Sequence, residues 1–512
     1  ANPTILSGDF NGDDVGFTNN SENAYHVVFS VLDGNTTELD GFTIRGGNAN
    51  GAAGSTISFE GRIFGRQSGG GMLNAHDAMT TIRACKFLEN RAIEGAGMLN
   101  SVNSSPSVSD CIFFNNLAII SGGGMNNFNG ASPTVVNCAF WGNEADFGAA
   151  VRNHTNSDAS YVNCSFSGND AGANGGAMRN VGSDVTLKNC ILWGNSSEIS
   201  MTTGTTTVTY SIVEGGYAGT GNLNVDPLFV SQPPASLGST GDLHLQACSP
   251  AIDAGTSAGA PATDLDGNGR PFDAAPNVAG NYDMGVYEYQ QTLPAPTATC
   301  QNITVQLDAN GSVTVPAADI NDGSTGGCGA LSYEIDGQAS RSFNCDDIGV
   351  NTVTLTVTDA FNNTDDCSAT ITVADDDNPC CVPPVVTAPT VTQPTCALPT
   401  GTIFVNASGG GTLEYSVNDG ADWQLSENFP GLQPGNYPIK VRLEANQTCE
   451  TAYASNPVEL NSPFTPSTTT DTWTGCVSTD WATAGNWADG SVPTTAEDVI
   501  IPDVANDPVI ST

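Results

Sequence analysis

Hydrophobic and polar positions recur with a period of 26 to 27 residues through the middle of the N-terminal half. Five cysteines mark the repeat, with successive spacings of 26, 27, 26 and 26. A large apolar residue follows each cysteine by two positions, and an asparagine follows it by five. This period predicts a parallel β-solenoid in which each repeat is one coil of about three short strands. The marker positions are Cys85, Cys111, Cys138, Cys164 and Cys190; Phe87, Phe113, Phe140, Phe166 and Leu192; and Asn90, Asn116, Asn143, Asn169 and Asn195.

A second frame runs in phase with the first. Met72, Met98, Met125, Val151 and Met178 are each followed two positions later by asparagine. Equivalent residues of stacked coils lie about 4.8 Å apart, so the asparagines are expected to form amide ladders. The apolar residue three positions before each cysteine has the wrong parity for the same face, which predicts a bulge or corner between them.

The repeated cysteines have two interpretations. In-register Cβ atoms near 4.8 Å apart are beyond the roughly 3.5–4.5 Å that a disulfide requires, so we interpret them as small apolar core residues. The alternative is a redox or metal-binding row, but no histidine or basic residue recurs beside them to lower a thiol pKa.

The pattern extends beyond the five regular repeats. Leu39, Phe42 and Ile44 match the apolar, cysteine and phenylalanine positions of an earlier coil, and the long separation from Cys85 predicts an inserted loop. In "VTYSIVEGG" (208–216), Ser211 stands where the cysteine is expected.

The segments after these coils resemble a known family. "GNLNVDPLFV", "DLHLQACSPAIDAG", "DLDGNGRPFD" and "YDMGVYEYQ" resemble the closing segment of secreted bacterial right-handed parallel β-helices of the choice-of-anchor type, found in surface proteins exported by type IX secretion. The resemblance covers residues 1–290. It implies a right-handed parallel β-helix with a C-terminal closing segment.

From Pro294 onward, alternating strands and turns replace the period. Residues 291–376 resemble hyalin-type repeats, which are immunoglobulin-like β-sandwiches, and residues 391–464 resemble the sandwich repeats of gliding-motility adhesins. Residues 377–390 are rich in Pro and Asp and predict a linker, and residues 465–512 resemble the start of a further β-rich module. The predicted fold class is therefore all-β throughout.

The cysteines of these modules predict disulfides. Cys300, Cys328, Cys345 and Cys367 allow three connectivities, and analogy with the hyalin-type family implies Cys300–Cys367 and Cys328–Cys345. Cys396 and Cys449 bracket the second sandwich and are expected to pair. Disulfides indicate an oxidising compartment, so we expect a secreted or cell-surface bacterial protein.

The net charge of the chain limits the classes of partner that it can bind. Thirteen Lys and Arg against 54 Asp and Glu give a net charge of -41, which repels nucleic acid, anionic lipid and polyuronic acids. Cations, neutral glycans and other proteins therefore remain as plausible binding partners. With no apolar run of about 18 residues and no leader pattern, we expect no membrane insertion and a mature or internal piece of a longer chain.

Two motifs are candidate calcium sites. "DLDGNG" places Asp264, Asp266 and Asn268 at alternate positions, and "DFNGDD" does the same with Asp9, Asn11 and Asp13. Oxygen ligands at this spacing resemble the first half of a calcium loop. Both motifs lack the glutamate at the twelfth position, where Ala275 and Asn20 stand. The alternative is a polar Asp-Gly turn.

An enzyme must also be considered, because many parallel β-helices are polysaccharide lyases or glycoside hydrolases. A lyase needs a strong base, for which Arg152 and Arg179, one coil apart, and nearby His154 are the candidates. The alternative is outward, solvated residues of a repeat.

We expect a non-enzymatic surface protein, an adhesin, stalk or fibre that self-associates or binds cell-surface glycans or proteins. A carbohydrate-active enzyme is the second hypothesis, and a phage-type tailspike fits the β-helix but not the modules.

Overall fold

The computed structural model describes residues 4–32, 34, 37–274, 281–376, 380–395, 398–462, 470–473, 478–487, 491–495, 497–501 and 508. The chain forms two compact units. The first comprises residues 1–300, 321–337 and 354–367, and the second comprises residues 301–320, 338–353 and 368–512.

The first unit contains a parallel β-helix, as the 26-residue period predicts. Successive coils contribute one strand to each of four parallel sheets, numbered here in their order along a coil. Sheet 1 contains Val28–Val31, Met72–Ala75, Met98–Ser101, Met125–Phe128, Val151–His154, Met178–Val181 and Ile199–Met201; sheet 2 contains Glu38–Asp40, Thr81–Arg83, Ser107–Ser109, Thr134–Val136, Ser160–Val162, Val185–Lys188 and Thr206–Thr209. Sheet 3 contains Thr4–Ser7, Phe42–Arg45, Lys86–Leu88, Ile112–Phe114, Ala139–Trp141, Ser165–Ser167, Ile191–Leu192 and Ile212–Val213; sheet 4 contains Asn48–Ala49, Arg91–Glu94, Leu117–Ser121, Glu144–Phe147 and Asp170–Asn174.

The regular coils thus have four strands rather than the three expected. The fourth strand follows the Cys-Phe-Asn stretch and turns its small alanines inward, where Ala92, Ala118 and Ala145 are buried. The corner predicted between sheets 2 and 3 is one residue in the left-handed region just before each cysteine. It is asparagine in three coils, at Asn137, Asn163 and Asn189, where φ is 57°, 49° and 53°. Asparagine tolerates this conformation better than most residues, which explains the recurrence.

Stacked side chains hold the coils together. Phe87, Phe113, Phe140 and Phe166 stack face to face, with ring centroids 4.6 to 4.9 Å apart. The five repeated cysteines are buried and unbonded beside them. The backbone N–H of Cys111 points at Sγ of Cys138 over 3.4 Å, so the thiols occupy a ladder position and act as core residues.

Two asparagine ladders run along the stack of coils, the first between sheets 3 and 4 and the second in sheet 1. In the first, Nδ2 of each asparagine donates to Oδ1 of its equivalent in the next coil, over 2.8 to 3.1 Å from Asn90 to Asn195. The second links Asn74, Asn100, Asn127, Asn153 and Asn180 over 2.7 to 2.9 Å. Ser211 takes the cysteine position of the next coil and accepts from the N–H of Cys190.

The closing segment covers the outer face of sheet 3. Ala139, Ile191 and Ile212 pack against a cluster that includes Leu243 and Ile252. Inside this segment, Arg270 and Glu288 form an ion pair 3.2 Å long whose side chains are inaccessible to solvent. Among its described residues, the closing segment has one two-stranded sheet, Phe229–Ser231 with Asp242–Leu245. The insertion before the regular coils is a hairpin of Thr56–Phe59 and Arg62–Gly65.

After the β-helix, small sheets replace the long parallel ones, and most of their strand pairs are antiparallel. The first region contains Pro296–Thr297, Ile303–Gln306, Ser312–Pro316, Thr325–Gly326, Ser332–Ile335, Ser340–Asn344, Gly349–Thr358 and Thr364–Ala374, with 3-10 turns at Ala317–Ile320 and Cys345–Asp347. The next contains Val385–Val386, Thr390–Thr392, Gly401–Phe404, Ala407–Ser408, Leu413–Ser416, Asn428–Leu432, Gly435–Tyr437, Lys440–Leu443, Glu450–Ala452 and Val458–Leu460. The last contains Thr470–Thr472, a 3-10 turn at Ala484–Asn486, and Asp498–Ile500. Strand pairing begins at Val385 and therefore reaches into the predicted linker.

The disulfides correct two of the three predicted pairings. Cys300 is bonded to Cys367, as the family resemblance implied. Cys328 is bonded to Cys248 and not to Cys345, because it is buried in the apolar cluster of the closing segment, beside Cys248.

The remaining bonds also differ from expectation. Cys345 is bonded to Cys380. Cys449 is bonded to Cys381, so its predicted bond to Cys396 is wrong, and Cys396 itself lies outside the described residues. These four disulfides are typical of a protein from an oxidising, extracellular environment. Within the described part of the chain, no helix has the length and hydrophobicity to cross a membrane.

Candidate functional site

The outer face of sheet 1 brings together the residues considered above as a lyase site. Side chains alternate along each strand, so Leu73, Leu99, Asn126, Arg152 and Arg179 form one outward column, one residue from each coil. The next outward column contains Phe128 and His154. We call these two columns the sheet 1 face.

Arg152 and Arg179 are direct partners in the strand register. Both guanidinium groups lie over the ring of Phe147, at 5.9 and 4.5 Å from its centroid. Neither arginine forms a salt bridge with any carboxylate of the described residues, and the Nε atom of each is buried without a hydrogen-bond partner there. Burial lowers the pKa of Arg152, which the charge of Glu94 partly offsets. The face therefore contains two adjacent, incompletely satisfied cations.

Asn126, which precedes Arg152 in the column, is 0% exposed. Its Oδ1 and Nδ2 atoms both lack a hydrogen-bond partner among the described residues, and the same is true of Nε2 of His154. A buried amide with neither end satisfied is costly, at about 1–3 kcal/mol for each group. The polar groups of this face thus have unused hydrogen-bonding capacity.

Aromatic rings line the second column. His154 stacks on Phe128 with ring centroids 4.5 Å apart, and Phe128 is 38% exposed. Burial, together with the charge of Arg152, lowers the pKa of His154 to about 4, so its imidazole is neutral at pH 7. A neutral ring on an exposed phenylalanine offers a flat, weakly polar platform.

The hairpin inserted before the regular coils closes one end of the sheet 1 face. Phe64 packs with Leu73 and Leu99. A cavity of about 210 Å³ lies there, and its lining includes Ile63, Phe64 and Phe128. The face therefore changes from apolar under the hairpin to cationic at Arg179.

The first predicted calcium motif forms a cluster of carboxylates. Asp9, Asp13, Asp14 and Glu22 each place an oxygen within 4.8 Å of the others. Asp14 and Glu22 each retain a buried carboxylate oxygen with no hydrogen-bond partner in the described structure. Burial opposes ionisation of Asp9, but hydrogen bonds from the backbone N–H groups of Gly12, Asp14 and Asp13 outweigh it and lower the pKa of Asp9. Oxygen-rich sites of this kind suit Ca²⁺.

The second predicted calcium motif is arranged differently. Oδ1 of Asp264 accepts hydrogen bonds from the backbone N–H groups of Asp266 and Asn268, and its Oδ2 accepts from the side chain of Asn268 and the N–H of Glu288. Asp266 bonds to Nε2 of His244 over 2.8 Å. The three residues therefore belong to a hydrogen-bonded turn in this structure.

Several residues of these sites do not appear among those predicted from the sequence. Asp14 directly follows the "DFNGD" pattern, but Glu22 comes from later in the same loop, outside the calcium-loop spacing. Phe147 could not be matched to the arginines, because it lies on sheet 4 and its contact depends on the tight turn at Gly148, where φ is 60°. Asn126 does stand out in the alignment of coils, where leucine and arginine occupy the equivalent positions.

Comparison with known proteins identifies no family. No protein-family model and no curated protein matches the sequence. Among solved structures, one similar chain is "Crystal Structure of Protocadherin Gamma C5 EC1-3", at 15% identity and a TM-score of 0.19; the alignment covers 31% of this chain and 66% of that one. Another is "Tandem Ig repeats of Dlar", at 10% identity and a TM-score of 0.11, covering 32% of this chain and 96% of that one.

Proposed function

We propose that this chain is a non-enzymatic extracellular surface protein of bacteria, in which the β-helix and the β-modules act as an adhesin, stalk or fibre. The observation that carries the proposal is the pair of asparagine ladders that run without interruption through five successive coils. Each coil is bonded to its neighbours by backbone, amide and aromatic contacts, so tension is shared along the stack. Export by the type IX route and membership of the choice-of-anchor type belong to this proposal.

Adhesion is tested with the full chain coupled to inert beads. The beads should resist detachment by flow from surfaces coated with bacterial or host glycans or proteins, whereas beads coupled to albumin should not. Retention no better than albumin on every coating would remove the adhesin version.

The fibre version is tested separately by electron microscopy of the purified chain. Filaments that lengthen with protein concentration are expected, since solenoid ends expose strand edges that can pair. Isolated particles at all concentrations would contradict the fibre hypothesis and leave the stalk as the structural role.

A carbohydrate-active enzyme is the second candidate, because the structure brings Arg152, Arg179 and His154 to one face. The lowered pKa of His154, about 4, makes it a weak base at neutral pH, which leaves the arginines as the candidate bases. Release of oligosaccharides from a polysaccharide by the full chain, abolished in Arg152→Ala, would establish the enzyme instead.

Calcium is proposed as a structural ligand of the Asp9, Asp13, Asp14 and Glu22 cluster. Four carboxylates that lie within 4.8 Å of one another repel each other unless protons or a cation compensate. A bound divalent ion would fix the loop that joins the first strand of sheet 3 to the first strand of sheet 1.

A further inference from the structure

We propose that the sheet 1 face binds a mostly neutral glycan that carries an isolated anionic group, a carboxylate or a sulfate, with Arg152 and Arg179 holding the anion. The inference rests on the proposed adhesive function and names the chemical class of the adhesin's ligand. It does not require cleavage.

Arg152 and Arg179 place two positive charges side by side. Like charges directly opposite each other in neighbouring strands destabilise a sheet. The chain has 54 acidic residues and only 13 basic ones, yet no described carboxylate forms a salt bridge with Arg152 or Arg179. The two guanidinium groups instead share the ring of Phe147. The charge of Glu94 offsets part of this repulsion at Arg152, and an external anion between the two arginines would reduce it further and accept charge-assisted hydrogen bonds.

The neutral part of the ligand has an apolar partner on the same face. The exposed ring of Phe128, stacked on neutral His154, provides an apolar surface for the C–H face of a sugar ring.

The backbone pairing of the sheet 1 strands distinguishes a glycan ligand from a peptide ligand. Extended peptides usually bind a sheet by pairing with its exposed edge. The strands that carry Asn126, Arg152 and Arg179 each have parallel neighbours on both sides, so their backbone groups are already paired. Only side chains are available on the face, which favours a ligand rich in hydroxyl groups.

The net charge of -41 limits how many anionic groups the ligand can carry. A polyanion would be repelled by the rest of the surface, whereas a single carboxylate or sulfate meets the two arginines locally. A neutral glycan with few anionic substituents is therefore compatible with both the net negative charge of the protein and the positive charge of the arginine pair.

The test measures binding of the full chain to surfaces coated with 3′-sialyllactose, 3′-sulfolactose or lactose, and with poly-glutamate and polygalacturonate as dense polyanions. We expect binding to at least one of the two singly charged glycans, with the two surfaces distinguishing carboxylate from sulfate. Lactose should bind at least about tenfold more weakly, because it lacks the charge-assisted hydrogen bonds.

The variant Arg152→Gln/Arg179→Gln should lose at least about tenfold in affinity for the charged glycan. The matched control is Lys86→Gln/Lys188→Gln, which removes the same charge from sheets 3 and 2 and should bind like the wild type. If the double arginine variant does not fold, Arg179→Gln alone, on a half-buried side chain, gives the same test.

Equal binding to lactose, arginine-independent binding, or binding to none of these surfaces would overturn the proposal. Arginine-dependent binding of poly-glutamate in preference to the glycans would overturn the glycan assignment in favour of an acidic peptide. Shortened glycan products would instead overturn the non-enzymatic function while leaving the anion site intact, so the two failures are distinguishable.

Discussion

Nδ2 of Asn143 donates a hydrogen bond of 2.9 Å to Oδ1 of Asn169, and both side chains are inaccessible to solvent. Oδ1 of Asn143 in turn accepts from Nδ2 of Asn116, also over 2.9 Å, and its own Nδ2 also donates to the carbonyl of Phe113. One side chain thus connects three coils. A ladder of this kind stabilises only while every member is satisfied, because each orphaned group would remain buried.

Replacing Asn143 by alanine should therefore destabilise the protein by about 2–4 kcal/mol. The reason is that Nδ2 of Asn116 and Oδ1 of Asn169 each lose a hydrogen-bond partner inside the β-helix. Chemical denaturation followed by circular dichroism measures the change. Asn50→Ala, at an exposed asparagine of the first coils, is the control and should change stability by less than about 0.5 kcal/mol. Equal effects of the two substitutions would contradict the ladder's role.

Cys138 should resist alkylation in the folded protein. Burial raises the pKa of its thiol, so little thiolate forms, and the side chain is 0% exposed. Mass spectrometry after treatment with a maleimide should find Cys138 modified only in denaturant.

The control for this experiment is Cys380, which the structure bonds to Cys345. After mild reduction, Cys380 should label while Cys138 stays protected. Labelling of Cys138 in the native protein would show that its coil opens or that the cysteine row is reactive.

Calcium should raise the melting temperature of the full chain, and a chelator should reverse the effect. At a calcium concentration one hundred times the Kd, linkage gives about 2.7 kcal/mol of added stability. Asp14→Asn and Glu22→Gln should abolish the calcium-dependent shift, because both residues supply carboxylates to the cluster.

Asp266→Asn is the matched control for the calcium experiment. It removes a carboxylate from the other predicted motif, whose oxygens serve a turn and His244. The control should retain the full calcium response. Loss of the response in this variant, with the response intact in Glu22→Gln, would reverse the assignment of the two motifs.

His244 should make the closing segment more stable at low pH. Burial alone would lower its pKa, but hydrogen bonds to Asp266 and Asp242 outweigh burial and raise the pKa above 6.5. A raised histidine pKa contributes stability that is full below the unfolded value of 6.5 and is lost as pH rises through the folded value. An NMR titration should find a pKa above 6.5 that falls in Asp266→Asn, and a pKa at or below 6.5 in the wild type would contradict the pairing.

The sequence predicts most of the β-helix because its period repeats chemistry that only stacked coils satisfy. The cysteine, phenylalanine and asparagine rows lie where expected, and the left-handed residue before each cysteine is the predicted corner. The fourth strand was not predicted, because its inward residues are alanines such as Ala92 and Ala118. Alanine is too weakly hydrophobic to mark a strand in the sequence pattern.

The disulfides and the sites depend on contacts between distant segments. Cys248 and Cys328 are 80 residues apart, and no periodic pattern relates them. Arg152 and Arg179 could be placed one coil apart from the sequence, but their shared ring, Phe147, comes from another sheet. Glu22 joins Asp9 only because the loop between their strands folds back on itself.

The most direct test of the proposed mechanical role is force spectroscopy of single chains of residues 1–512 held at both ends in oxidising buffer. The coils before Cys248 contain no disulfide among their described residues, so they can unravel under load. Each released coil of 26 residues should add about 90 Å of contour length, and the steps should be discrete because each coil is bonded to its neighbours. We predict a series of such steps, with a lower force in Asn143→Ala. A featureless extension of the coils at low force, unchanged by that substitution, would contradict the account.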